Sequence, residues 1–256
     1  MDQRDGRRAF LSIASAGALL AACRDQAPTP TKDAPPAKDA PAGSGTAAAP
    51  SKDEKDTDEE VTATEDLMRE HGVIRRVLVV YRESAARLRA KPASVPPDAL
   101  QKAAKLIRSF AEDYHEKQLE EANIFPALMK KDGPLASTAT VLIAQHQRGR
   151  EITEYVLAVT AKTIGAQSVE PLAKTLESFA RMYEEHAALE DTIVFPAWKK
   201  TLSRKELDKV GDLFEDIEHK TFGKDGFDDA VDQIAAIEKT LGIDLAGTTP
   251  PPPPKV

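Results

Sequence analysis

Two stretches of this chain set out a histidine, an acid and a Phe-Pro pair in nearly the same order. Residues 184–198 read EEHAALEDTIVFPAW, and residues 112–128 read EDYHEKQLEEANIFPAL. His186 and Glu190 stand four apart, so on a helix both side chains leave one face a turn apart. An imidazole and a carboxylate together suit iron, manganese or zinc. In the first copy His115 and Glu120 stand five apart, about 140° round an ideal helix. Both point inward only if the helix bulges or the long Glu120 side chain reaches round. Glu112, three residues before His115, is the competing carboxylate.

The chain has five histidines: His71, His115, His146, His186 and His219. His71 precedes His115 by 44 residues, and His146 precedes His186 by 40. Each pair therefore spans one helical hairpin, with a lone histidine on the first helix and a histidine plus acid on the second. The body reads as two copies of one metal-ligand hairpin. A carboxylate from each half, Glu120 and Glu190, can bridge two metal ions. A lone histidine on an apolar helix face is ordinarily a hydrogen-bonded core residue. Distribution over successive helices, twice with an acid in duplicate context, favours ligands instead. Phe125, Phe195, Ile124 and Val194 read as core residues near helix ends, and Tyr114 and Tyr183 as core tyrosines near the site. Glu70, Glu185 and Glu218 each precede a histidine directly. Adjacent residues diverge on a helix, so no role is assigned to them.

The elements that must position these groups are helical. Leu67, His71, Ile74, Leu78 and Tyr81 recur at steps of three and four. The first helix starts at Thr64 as its cap, with acids in its first turn, and ends before KPASVPPD. Further helices are expected over about 98–131, 135–164, 168–202, 203–220 and 227–241. Ser203 with Glu206 forms a capping box for the fifth. No segment alternates as a half-buried strand does. Long helices with short connections imply an all-α, up-down-up-down four-helix bundle with one or two extra C-terminal helices.

The flanks are of other kinds. Arg7-Arg8 and a fourteen-residue apolar run from Ala9 to Ala22 are too short for a membrane span and fit an export signal. RRAFL resembles a twin-arginine signal. LAAC, ending at Cys23, resembles a bacterial lipobox, which implies cleavage before Cys23 and acylation of its sulfur. Residues 24–60 are Ala/Pro-rich with almost no large apolar side chain, as in a spacer that cannot offset its ordering entropy. Residues 244–256 form a proline-rich tail. The folded domain is thus expected over 61–243, behind a leader over 1–23. Cys23 is the single cysteine, so no intramolecular disulfide forms. The net charge of −7 makes nucleic acid a poor partner.

REHGVIRR, DYHEKQLEEANIFPAL, AQHQRG and EEHAALEDTIVFPAW together resemble the hemerythrin-like, HHE cation-binding family over about residues 64–220. The resemblance implies a four-helix bundle around two non-haem iron ions, oxo- or hydroxo-bridged, with five histidines and two bridging carboxylates. The implied ligands are His71, His115, Glu120, His146, His186 and Glu190, with a fifth histidine. Oxygen-carrying members place that histidine four residues after the one on the third helix, where this chain has Arg150, which cannot ligate. His219 is the remaining candidate. Such a centre implies binding of O2, NO or a related small oxidant for sensing, storage or detoxification. A di-iron enzyme of the peroxidase, NO-reductase or iron-centre-repair type is the alternative, with a redox or signalling partner. Iron storage of the ferritin type ranks lowest, since it needs Glu-x-x-His twice and the chain has it once, at Glu112–His115. The leader implies a periplasmic or cell-surface protein held to a bacterial membrane by its lipid.

Overall fold

The computed structural model describes residues 61–130, 133–244, 247 and 249–254. The leader, the lipobox cysteine and the spacer lie outside these residues. Six helices make up the body. α1 spans Ala63–Ala90. α2 starts as an α-helix over Pro97–Leu106, widens to a π-helix over Ile107–Ile124 and closes as an α-helix over Phe125–Met129. α3 spans Pro134–Thr160. α4 runs over Ala166–Leu189, has a π-turn over Glu190–Val194 and closes over Phe195–Lys199. α5 spans Arg204–Phe222 and α6 spans Gly226–Leu241. Among the described residues there is no strand, and no helix is long and apolar enough to cross a membrane.

Local chemistry sets the helix ends. Thr62, not Thr64, caps α1: its hydroxyl accepts from the Glu65 amide while the Glu65 carboxylate accepts from the Thr62 amide. Thr64 is buried inside the first turn instead. Ser203 and Glu206 make the same reciprocal pair at α5. α5 and α6 end on Gly223 and Gly242 at φ 69° and 61°, a conformation that costs a glycine little.

The two π segments share a cause at their ends. Pro126 and Pro196 have no N–H for the carbonyl four residues back, and their rings crowd it. The turn widens just before each proline. The Phe125 amide donates to the Glu120 carbonyl, and the Phe195 amide to the Glu190 carbonyl, both across five residues. In α2 the five-residue repeat extends back past His115 and brings positions i and i+5 to one face. This resolves the awkward spacing of His115 and Glu120.

α1 packs along α4, α2 along α3, and α3 also meets α4, which closes a four-helix bundle. Its core holds Leu67, Leu78, Tyr81, Phe110, Phe179 and their neighbours, all buried. Tyr81 meets Phe179 edge to face at 5.4 Å between ring centroids. α5 and α6 lie outside this bundle. α6 rests on α1 and α2. It is held by a bidentate pair in which Arg76 donates to Glu238 at 2.8 and 2.6 Å. Arg76→Ala leaves the largely buried Glu238 carboxylate without its cation. It should cost about 1–3 kcal/mol, read as a lower urea midpoint, and Arg76→Ala/Glu238→Leu should recover most of that loss.

Candidate metal centre

Four histidines and two glutamates from the four bundle helices meet in the core. His71 comes from α1, His115 and Glu120 from α2, His146 from α3, and His186 and Glu190 from α4. All six are nearly or wholly buried. The Nε2 atoms of His71 and His115 lie 3.1 Å apart, and those of His146 and His186 also 3.1 Å. Glu120 spans the two imidazole pairs, with Oε1 3.4 Å from His115 Nε2 and Oε2 3.3 Å from His146 Nε2. Glu190 spans them as well, with Oε2 3.1 Å from His186 Nε2 and 3.5 Å from His71 Nε2. Among the described residues three potential ligand groups emerge: His71, His115 and Glu120; His146, His186, Glu120 and Glu190; and, at the flank of the second, Glu116, Glu121 and His146.

Each imidazole is pinned through its other nitrogen. Nδ1–H of His71 donates to Asp191 at 2.7 Å, that of His146 to Glu121 at 2.8 Å, and that of His186 to Gln145 at 2.8 Å. His115 Nδ1–H donates to Glu70. With Nδ1 occupied as a donor, each Nε2, when its ring is neutral, presents its lone pair to the centre. The supports follow the repeat. The residue before each first-helix histidine, Glu70 or Gln145, holds the second histidine of its own hairpin. The residue after each central glutamate, Glu121 after Glu120 or Asp191 after Glu190, holds the first histidine of the other hairpin. Arg75 and Arg150, each four residues past that histidine, pair with Asp191 and Glu121 in turn. Phe195 stacks on His71 at 5.5 Å and Phe125 on His146 at 5.6 Å.

All four carboxylate oxygens of Glu120 and Glu190 accept no hydrogen bond. Buried carboxylate oxygens normally have partners, and leaving them unpaired is costly. Four Nε2 lone pairs and two unpartnered carboxylates facing one another are a donor set that two metal cations would satisfy. The residues therefore fit a two-metal group. Electrostatics agree for the metal-free chain. Burial alone would raise Glu120, but the facing histidines His115 and His146 outweigh it and hold it well below the usual carboxylate range. Burial alone would lower His146, but Glu116, Glu120 and Glu121 lift it to about 10. His71 and His115 are raised by the same contest between burial and nearby carboxylates.

The expectations for the site divide. His71, His115, His146, His186, Glu120 and Glu190 come together. His219 does not: it is exposed on α5, outside the four-helix bundle, in the last turn of its helix. A histidine near a helix C-terminus also complements the local dipole. Between the two carboxylates left open on α2, Glu120 faces the centre, while Glu112 turns to Arg108 at 3.1 Å. Sequence reasoning passed over Glu70, Glu121, Gln145 and Asp191, the four acceptors. Their signal was the repeat itself, since they occupy matching positions in both hairpins. It also passed over Glu116, which accepts from the Tyr183 hydroxyl and from Arg150 at 3.2 Å. Tyr114 donates to Glu70 at 2.8 Å. Beside the centre lies a narrow cavity with room for about one water-sized molecule.

The hemerythrin HHE cation binding domain matches residues 62–198, which is α1 through α4. Uncharacterized proteins of Mycobacterium tuberculosis (strains H37Rv and CDC 1551) and Mycobacterium bovis are 47% identical over 214 residues, covering 81% of this chain and 83% of each relative. No solved structure gives a significant match. The matched span, the four-helix bundle and the buried His/Glu cluster agree: the chain belongs to the hemerythrin HHE cation-binding family.

Proposed function

We propose that this protein is a non-haem di-iron protein that binds O2, NO or a related small oxidant for sensing, storage or detoxification. The observation that carries the reading is the pair of bridging glutamates, buried with all four oxygens free of hydrogen bonds between two histidine pairs. An all-imidazole and carboxylate set, without thiolate, suits iron better than a structural zinc site. When bound, two iron ions would supply reversible redox change and an open coordination position. The protein's own share is orientation and exclusion. His71 and His115 would hold one ion and His146 and His186 the other, with Glu120 and Glu190 shared. Asp191, Glu70, Glu121 and Gln145 fix the imidazole tautomers. The cavity beside the centre has room for about one water-sized molecule and none for a sugar or peptide. With His219 remote, each ion would have two imidazoles, so the centre is more open than one with five histidines.

The leader adds a location to the proposal. Arg7-Arg8, the apolar run and the LAAC box support export, acylation at Cys23 and tethering to the outer face of a bacterial membrane. A partner delivering electrons or reading out the ligand belongs to the same reading. A di-iron enzyme is the second reading, and the polar Glu116–Tyr183 pair beside the cavity favours it.

Iron content and the visible spectrum test the core of this. Anaerobically reconstituted protein should hold about two irons per chain and show a charge-transfer band that azide shifts. His186→Ala and Glu120→Ala should each lose at least half of that iron, while His219→Ala should keep all of it. No bound iron in the unaltered chain would overturn the reading.

Proton linkage gives an independent check. In the metal-free chain the raised histidines contribute stability that is full below the unfolded histidine pKa of about 6.5 and is lost as pH rises through about 10, where His146 titrates. The lowered Glu120 contributes stability that is present above about 4.5 and lost as pH falls through its depressed value. Metal binding must expel the histidine protons. Apparent metal affinity should therefore rise between pH 6 and 8 while metal-free stability does not, with proton release on loading measurable by titration in weak buffer.

A further inference from the structure

One departure from the repeat symmetry of the centre faces the cavity. The residue after the second-helix histidine is Glu116 in the first hairpin and Ala187 in the second. Both line the cavity, together with Ile74, Tyr183 and part of the ligand set. Glu116 is 1% exposed. One of its oxygens accepts from the Tyr183 hydroxyl and the other from Arg150. The arrangement is built with some care. Tyr183 lies so close to α3 that a Cβ on Gly149 would stand 2.2 Å from its hydroxyl oxygen. Only the absence of a side chain at Gly149 lets that hydroxyl reach Glu116. The second hairpin has a methyl group, that of Ala187, at the matching position.

Resting on the reading of this site as a metal centre for a small exogenous ligand, we propose that Glu116 sets which ligands enter. Burial in a low dielectric makes a carboxylate in the wall of a one-molecule cavity unfavourable to small anions. Each oxygen has two lone pairs, so one remains for an incoming donor after Tyr183 and Arg150 are served. The class favoured is therefore a neutral ligand that carries its own O–H, such as hydrogen peroxide. The class disfavoured is an aprotic anion such as azide. Tyr183 and Gly149 act through Glu116 and position it.

The test uses the iron-loaded full chain and two probes, azide affinity from the charge-transfer band and the second-order rate of reaction with hydrogen peroxide. Glu116→Gln removes the charge and keeps the shape. It should retain its iron, bind azide about tenfold more tightly and react with peroxide about tenfold more slowly. Glu116→Asp should keep the order of the unaltered protein. Tyr183→Phe, which frees Glu116 to turn, should shift both probes in the direction of Glu116→Gln and serves as the reading if that variant does not fold. Iron retained with the azide-to-peroxide ratio unchanged within about twofold overturns the proposal. Loss of iron from Glu116→Gln also overturns it, by making Glu116 a ligand. Failure of the unaltered chain to bind iron or respond to azide would instead sink the underlying reading of the site.

Discussion

The structure depends on concentrating like-natured acceptors in its interior, away from bulk water. Four imidazole Nε2 atoms and two carboxylates sit at the middle of a helical bundle, within hydrogen-bonding distance of one another, and with each Nδ1–H committed outward the neutral rings leave no donor among them. Such a cluster would be strongly unfavourable as packing alone. Protons or cations must balance it, and the raised histidines and lowered Glu120 show the first solution at work in the metal-free chain. The remaining architecture serves this cluster. Helices supply rigid attachment, aromatic rings from the two Phe-Pro pairs cover His71 and His146, and the acceptors fix each ring's rotation.

Precision at this centre comes from distortions that a regular helix would not allow. An α-helix would turn Glu120 away from His115. The five-residue repeat of α2 turns it back, and the proline that follows makes the widened turn the comfortable one. In α4 the histidine–glutamate spacing is already four, and the widened turn begins only at Glu190. Two hairpins of the same plan thus reach one geometry by different local routes.

Much of this was legible in the residues. The apolar period marks the helices, the doubled hairpin marks the six converging groups, and Ser203 with Glu206 announces the start of α5. The π-helix was visible only as a problem, the five-residue gap between His115 and Glu120. The acceptors were illegible to an argument made one helix at a time. Glu70 points away from His71 because the two are adjacent, and for that reason it can meet His115 on the neighbouring helix. His219 misled because counting histidines is a composition argument. Its helix lies outside the bundle, and no count reveals that.

The support of His71 by Asp191 and of His146 by Glu121 crosses from one hairpin to the other. Neither hairpin therefore contains a complete coordination environment: each lacks the anchor for its own leading imidazole. A solitary hairpin of this plan would be an unfinished half, able to reach the same state only by pairing reciprocally, about a two-fold axis, with a second copy. Joining both halves in one chain makes their meeting unimolecular and independent of protein concentration. It also ties completion of the first half to the presence of the second, since each leading imidazole takes its anchor from the other hairpin.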